Sequence, residues 1–420
     1  MAEPDFNATY QRLGIVAQVF SPSAPISRVT LFAGRDQQIM RAIEIVYRRG
    51  QHGIIFGERG VGKTSLANLI GEFVTRDDKA DTPPSFLTPR VNCTASSDYD
   101  SIWREVFGKI SYFETSGVTQ LSIGDFASNL GEKKLDPGIV LRTLDAIATQ
   151  TEFIVTIDEF DRLRDSDSKR LMADTIKGLS DHSIGATVFI VGVADTVEEL
   201  IAEHQSVARA MMQIQMPRMG EDEISGIVKK GLARFNSECE DFQLAIDENV
   251  LGLIIFLSRG LPHYAHLIAQ KACSVAIQAE SGDITTSHVM HGILNALEEI
   301  RQSTLASFDA AIYSAHKNAT YFETLTACAI AQPDRMGFFA ASDVRIPLER
   351  IRKKAIQIAS FSGHLEEFCD EKRGTILQRI GEARRVRYRF TDALVQPYVL
   401  MKALTEGKID QSVLAPQQTT

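Results

Sequence analysis

The sequence is poor in the features that mark secreted and membrane proteins. It has only five cysteines in 420 residues, and no two of them form a CxxC pair. Scattered cysteines of this kind are typical of reduced, mostly buried thiols in a cytosolic protein. No apolar run reaches the roughly eighteen residues that a membrane span needs, and the first residues lack the basic start and apolar middle of a signal peptide. We therefore expect a cytoplasmic protein that does not bind membranes.

An excess of basic charge is also absent. Lysine and arginine total 45 residues against 54 aspartates and glutamates, which gives a net charge of −9. This balance argues against a protein that coats nucleic acid with its whole surface, but it is compatible with one basic module in an acidic chain. The length and a hydrophobic content of 44% predict an ordinary globular protein of two or three domains.

The most informative segment is a glycine-rich loop between a predicted strand and a predicted helix. Its residues are Gly57, Glu58, Arg59, Gly60, Val61, Gly62, Lys63, Thr64 and Ser65. The spacing Gly-x4-Gly-Lys-Thr in this context is that of a phosphate-binding P-loop, because glycines let backbone N–H groups turn toward phosphate oxygens. We expect Lys63 to reach the β- and γ-phosphates of ATP and the Thr64 hydroxyl to ligate Mg²⁺. The alternative is a glycine-rich turn without a ligand.

A second element carries carboxylates. The apolar run Phe153–Ile157 predicts a buried strand that ends in Asp158 and Glu159. Asp158 is placed to ligate Mg²⁺ beside the P-loop, and Glu159 is placed to deprotonate a water that attacks the γ-phosphate. This pair favours hydrolysis over transfer to an acceptor. An exposed strand end is the alternative interpretation of the same two carboxylates.

The order of elements predicts an α/β fold. Continuous apolar runs at 152–157 and 187–193 indicate parallel strands that helices cover on both faces, and strand and helix patterns alternate up to about residue 217. Helical patterns follow. Two short alternating runs, 376–380 and 386–390, then predict a β-hairpin after helices. The first thirty residues, with prolines at 22 and 25, are predicted to be irregular.

In order and spacing over roughly residues 31–400, the sequence resembles the AAA+ ATPases, above all the initiator branch of origin-recognition ATPases and the transposition-targeting ATPases. Besides the P-loop and Ile157-Asp158-Glu159, the resemblance is carried by Leu31-Phe32-Ala33-Gly34-Arg35, Gly192-Val193-Ala194-Asp195 and Ser258-Arg259-Gly260-Leu261-Pro262-His263. It implies a P-loop αβα domain with a helical lid and a C-terminal winged helix. It also implies ATP and Mg²⁺ as cofactors, ATPase activity and assembly into an oligomer.

The resemblance also implies domain boundaries. The expected units are an N-terminal arm (1–30), an ATPase core (31–217), a helical lid (218–284), a connecting helix (285–318), a winged helix (319–405) and a flexible tail (406–420).

Several site residues are implied by the same resemblance. Phe32 and Arg35 would wall the adenine pocket, with Val16 or Phe20 covering the base. Asp195 stands at the position of a γ-phosphate sensor that is usually Asn in relatives, and a helix cap is its alternative role. His263 stands where the lid of relatives supplies a sensor arginine. Packing of this histidine is the alternative, with the neighbouring Arg259 as a substitute sensor.

AAA+ rings present an arginine to the nucleotide of the neighbouring subunit, where it neutralises charge on the departing phosphate. By position, Arg209 is the expected finger and Arg218 is the second choice. A solvated helix arginine is the alternative interpretation.

The C-terminal hairpin is the basic module. Strand periodicity places Arg385, Arg387 and Arg389 on one face, with Arg379 and Arg384 nearby. Such a face fits contacts to DNA phosphates, although the acidic residues 366, 367, 370 and 371 oppose a groove-binding helix. The rival hypothesis is a signalling or defence ATPase of the STAND type, whose winged helix contacts protein.

Overall fold

A computed structural model describes residues 6–75, 86–115, 130–194, 207–299, 302–315, 319–381 and 385–410, apart from positions 23, 27, 132, 150, 208 and 335. The strands in these ranges are β1 (His52–Gly57), β2 (Phe86–Leu87), β3 (Arg90–Asn92), β4 (Glu152–Asp158), β5 (Ala186–Val193), β6 (Met211–Gln215), β7 (Ala245–Ile246), β8 (Asp283–Ile284), β9 (Leu377–Ile380) and β10 (Arg387–Phe390). Within the described residues, no helix combines the length and apolarity that a membrane crossing requires.

The helices lie between and after these strands. They are α1 (Phe6–Val19), α2 (Asp36–Tyr47), α3 (Lys63–Thr75), α4 (Tyr99–Thr115), α5 (Pro137–Ala148), α6 (Ser166–Asp181), α7 (Glu221–Glu238), α8 (Glu248–Ser258), α9 (Pro262–Gln278), α10 (Thr286–Glu298), α11 (Gln302–Ile312), α12 (Tyr321–Ile330), α13 (Ala341–Arg352), α14 (Ser362–Glu367) and α15 (Val395–Thr405).

The first domain is a parallel sheet between helices, as predicted. Its strand order is β2-β4-β5-β1-β6, and β3 also pairs with β4. All residues of β1 are buried, as are nearly all of those of β4 and β5, which explains their continuous apolar sequences. Since the strands are parallel, the carboxyl ends of β1, β4 and β5 meet at one edge of the sheet. The P-loop follows β1 at this edge, and Asp158 ends β4 there.

Two elements depart from the sequence-based expectation. Residues 6–19 of the arm form α1 rather than irregular chain, because Val16 and Val19 are buried against the helices α7 and α9. The helix ends just before Phe20, ahead of the prolines at 22 and 25. The edge strand β6 was not predicted, because its half-exposed sequence MMQIQ lacks a continuous apolar run.

The helices α7 to α10 form a second layer beside the sheet. Helix α10 packs closely along α9, and a Cβ atom on Gly292 would lie 2.8 Å from the backbone nitrogen of Ala272. The expected connecting helix at 285–318 is therefore two helices, α10 and α11, of which α10 packs with the lid.

The C-terminal part consists of α12, α13 and α14, the hairpin β9–β10 and the final helix α15, which we call together the C-terminal domain. The strands of the hairpin pair Arg387 with Ile380 and Phe390 with Leu377. Tyr388 and Phe390 face the core, as the alternation predicted. Phe339 forms an additional antiparallel bridge to Tyr388.

Candidate nucleotide site

The glycine-rich loop adopts a conformation that depends on its glycines. Gly57, Gly60 and Gly62 have φ angles of 148°, 85° and 93°, a region that side chains disfavour. A Cβ atom on Gly57 would also lie 2.4 Å from the carbonyl oxygen of Met216. The loop leads directly into α3, whose positive N-terminal end begins at Lys63.

Lys63 is held inside the loop. Its side chain is buried, and Nζ donates hydrogen bonds to the carbonyl oxygens of Gly57 at 3.0 Å and Glu58 at 2.7 Å. Burial lowers the pKa of Lys63 to about 8, while Asp161, Asp158 and Glu58 oppose this shift. A buried ammonium group beside a helix N-terminus forms a positively charged environment that favours binding of a phosphate chain.

Thr64 and Asp158 meet as a metal site requires. The Thr64 hydroxyl donates to Asp158 Oδ2 at 2.8 Å. Hydroxyl and carboxylate oxygens are the ligands that Mg²⁺ prefers, so these two residues fit the ion. The same Oδ2 atom also accepts a hydrogen bond from Arg90 Nη2 at 2.8 Å, and Oδ1 accepts one from the backbone N–H of Glu159. The buried Asp158 carboxylate is therefore paired with Arg90.

Glu159 stands at a turn directly after β4. Its backbone is left-handed, with φ 54° and ψ 35°, which directs the chain away from the sheet into the turn 160–162. Its carboxylate is half exposed and forms a 2.6 Å ion pair with Arg162. This ion pair occupies Oε2 of Glu159, so a water that Glu159 deprotonates has to contact Oε1 or displace Arg162.

Phe32 and Arg35 line a cavity beside the P-loop. The cavity has a volume of about 30 Å³, and Val61, Gly62, Met219 and His266 also contribute to its wall. A volume of this size holds about two water molecules, so a purine base requires the cavity to widen.

Arg35 is buried at this wall in an unusual way. Its Nη2 donates to the carbonyl oxygen of Val61 at 2.9 Å, while its Nε is buried with no hydrogen-bond partner in the described part of the chain. Burial lowers the pKa of Arg35 to about 10, and nearby Glu223 opposes this shift.

The structure corrects three expectations about residues near this site. Val16 and Phe20 do not line the cavity; Phe20 packs beneath the lid, where its ring meets His266 edge to face and Gly231 leaves space for it. Arg259 does not point toward the phosphates. It is partly buried, and its Nη2 donates to the carbonyl oxygens of Ile330 and Ala331 in the C-terminal domain.

Arg218 is not available as a finger for a neighbouring subunit. Its side chain is only 8% exposed and forms an ion pair with Glu58 of the P-loop, with Nε 2.6 Å from Oε2. His263 lies at the start of α9, where Nδ1 donates to the carbonyl oxygen of Pro22 at 2.7 Å. This contact ties α9 to the N-terminal segment and agrees with the packing alternative.

The other predicted residues are spread more widely. Ser65 accepts a hydrogen bond from the backbone of Ile26. Arg209 is exposed just before β6, beside the start of β1 and thus at the opposite edge of the sheet from the P-loop. It therefore does not lie at the P-loop of its own chain. Asp195 and Arg384 lie outside the described residues.

The hairpin arginines have partners within the domain. Arg387 pairs with Asp334 at 2.7 Å and Arg379 with Glu366 at 3.2 Å. Arg389 lies over the ring of Phe338 at 4.6 Å, and Arg385 is exposed.

Sequence reasoning missed two residues of the site. The sequence contained a signal for Arg90, because it is the one charged residue in the segment 86–92, which contains β2 and β3. Gln396 gave none, since it reaches the site only through Arg218, to which it is bound by a hydrogen bond.

Comparison with known families agrees with this geometry. Residues 46–201, which contain the P-loop, β4 and β5, match the family described as the AAA domain. No curated protein sequence matches the chain.

Two solved structures share the fold of nearly the whole chain. The Walker-type ATPase PABY2304 of Pyrococcus abyssi is 18% identical, with 91% of this chain and 99% of that chain covered and a TM-score of 0.56. The ORC2 protein of Aeropyrum pernix, described in ADPNP-ADP complexes, is 14% identical, with 93% and 98% covered and a TM-score of 0.51. The chain therefore has the P-loop AAA+ fold of origin-recognition proteins.

Proposed function

We propose that the protein binds and hydrolyses ATP and uses this cycle as an oligomeric switch on DNA. The observation that carries the proposal is the contact of Thr64 with Asp158 beside an ordered P-loop, with Glu159 as the next residue. The AAA domain and the ADPNP-ADP complexes described for the ORC2 relative support ATP as the ligand.

Each residue has a defined task in this proposal. The backbone N–H groups of the loop and Lys63 hold the phosphates. Thr64 and Asp158 would hold Mg²⁺, which when bound neutralises charge on the β- and γ-phosphates. Glu159 leaves Arg162 and accepts the proton of the attacking water. Arg209 of one subunit completes the site of the next.

The hydrolytic part is tested with Glu159→Gln. We expect ATP turnover to fall by about 100-fold or more, while Mg-ATP still binds. Unchanged turnover would show that Glu159 is not the base. If the unmodified protein takes up no nucleotide in calorimetry, the whole proposal fails.

The shared site is tested with Arg209→Ala. We expect a loss of turnover that added protein does not restore, because the missing charge is supplied in trans. The matched control is Arg170→Gln on the exposed face of α6. Full turnover of the Arg209 variant at high protein concentration would remove this arginine from the mechanism.

The DNA part rests on the basic face of the hairpin. Arg387 and Arg389 alternate along β10, and the exposed Arg385 lies just before this strand. The C-terminal domain that carries them is proposed to be a winged helix. We expect the unmodified protein to retain duplex DNA in a salt-sensitive manner. The variant in which Arg385, Arg387 and Arg389 are all replaced by alanine should lose this retention.

A protein-facing switch is the second candidate. It is favoured by the acidic partners of the same face, since Asp334 and Glu366 already neutralise Arg387 and Arg379. Absence of any DNA retention by the ATP-bound protein would support this candidate over the first.

A further inference from the structure

A buried ion pair joins the P-loop to the segment that follows the sheet. Glu58, the first variable residue of the loop, has a side chain only 11% exposed, and Arg218 donates to its carboxylate from two nitrogens, Nε at 2.6 Å and Nη2 at 3.3 Å. Bidentate ion pairs of this kind are strong, and loss of one partner destabilises the protein because it leaves a buried charge unpaired.

The same guanidinium continues into the C-terminal domain. The third nitrogen of Arg218, Nη1, donates to Gln396 Oε1. Gln396 lies in α15, is 1% exposed, and donates in turn to the carbonyl oxygen of Ala329 in α12 at 2.8 Å. Arg218 therefore satisfies its donors only when the P-loop and the C-terminal domain are both in place.

Packing reinforces this chain of hydrogen bonds. A Cβ atom on Gly60 would lie 2.8 Å from Leu394, and one on Gly337 would lie 2.1 Å from Glu58. Asp392 lies opposite Arg59 at 3.9 Å. Residues 58 to 60 of the loop thus lie against the C-terminal domain, while Lys63 is held inside the loop.

We propose that Arg218 is a positioning residue that couples nucleotide occupancy of the P-loop to release of the C-terminal domain. The proposal rests on the nucleotide binding proposed above and names its regulation. A bound phosphate chain is strongly negative, so it repels the Glu58 carboxylate and competes for Arg218. Nucleotide therefore favours the state in which this contact is open, and by linkage an open contact binds nucleotide more tightly.

The part of the C-terminal domain that faces the P-loop also contacts the basic hairpin. Gly337 lies against Glu58, while the neighbouring Asp334 pairs with Arg387 and Phe338 lies against Arg389. The contact that nucleotide is proposed to open is therefore adjacent to the basic hairpin.

The test uses the full-length chain with spin labels at two exposed lysines, Lys177 in the sheet domain and Lys372 in the C-terminal domain. The variant is Gln396→Leu, which breaks the contact outside the nucleotide site. We expect the label distance to change on adding Mg-ADPNP in the unmodified protein. In the variant we expect the changed distance without nucleotide, and about tenfold tighter Mg-ADPNP binding.

Two further variants make the result decisive. Lys402→Ala, in the exposed Lys402–Glu406 pair of the same helix, is the matched control and keeps the unmodified affinity and distance. Arg218→Lys keeps the charge but loses the bidentate contact with Glu58. We expect its affinity for Mg-ADPNP to rise, as that of Gln396→Leu does. Thermal melting verifies that each variant is folded.

The outcomes separate this proposal from the proposed function. Absence of nucleotide binding in the unmodified protein refutes the function itself. Normal binding with an unchanged label distance, and with an unmodified affinity in both Gln396→Leu and Arg218→Lys, refutes only the coupling and leaves Arg218 a structural ion pair.

Discussion

The Arg90–Asp158 pair allows a quantitative prediction. Arg90 neutralises a carboxylate that is 3% exposed and whose Oδ2 atom also contacts Thr64. We expect Arg90→Gln to destabilise the nucleotide-free protein and to make it responsive to Mg²⁺, because the ion and the guanidinium neutralise the same carboxylate.

The magnitude follows from the burial and the 2.8 Å distance. Two charges 4 Å apart in a medium of effective dielectric 20 interact by about 4 kcal/mol, and breaking a buried pair costs about 3–5 kcal/mol. The Arg90 side chain is 28% exposed, so solvent screening reduces the expected loss to about 2–3 kcal/mol.

The assay is denaturant unfolding of the nucleotide-free chain with and without Mg²⁺. At ten times its dissociation constant, Mg²⁺ restores about 1.4 kcal/mol to Arg90→Gln, and it has a smaller effect on the unmodified protein. Arg170→Gln, which breaks only exposed helix pairs, loses less than about 1 kcal/mol and gains nothing from the ion. Equal responses of the Arg90 variant and the unmodified protein to Mg²⁺ would refute the competition.

Two other predictions concern buried groups. Burial lowers the pKa of His52 to about 4 from 6.5. The unfolded chain therefore takes up a proton at higher pH than the folded protein, and the free energy of unfolding falls as the pH drops from 6.5 to 4. Relative to His52→Gln, the unmodified protein should lose about 3 kcal/mol in denaturant titrations across this window, and stability curves that run parallel for the two proteins would contradict this. Phe32→Ala removes an apolar wall of the cavity beside the P-loop, which we propose receives the base. We therefore expect the calorimetric affinity for ADP to fall about tenfold or more while inorganic triphosphate binds as before. An equal loss for both ligands would place Phe32 outside the base pocket.

The parts of the site that the sequence predicted are those encoded by short-range patterns. The P-loop lies within nine consecutive residues, and Asp158 and Glu159 directly follow a continuous apolar strand. Local geometry fixes where such residues stand once strand and helix form. The hairpin and the inward position of Tyr388 follow from alternation in the same way.

The parts that could not be predicted depend on residues far apart in the chain. Glu58 and Arg218 are separated by 160 positions, and Arg218 and Gln396 by 178, so no periodicity links them. Arg218 was considered as a finger because it follows the sheet domain, but tertiary packing places it against its own P-loop. Helix α1 was missed for the opposite reason: the nearby prolines dominated the interpretation although Val16 and Val19 have helical spacing.

The pattern of charges in the P-loop now has a physical explanation. A phosphate site needs the glycines, Lys63 and Thr64, but nothing in phosphate binding requires an acidic and a basic residue at positions 58 and 59. A glutamate beside phosphates would even oppose binding. Glu58 instead pairs with Arg218, which is also bound to Gln396 of the C-terminal domain, so the loop sequence contains both the nucleotide site and the contact through which another domain senses it.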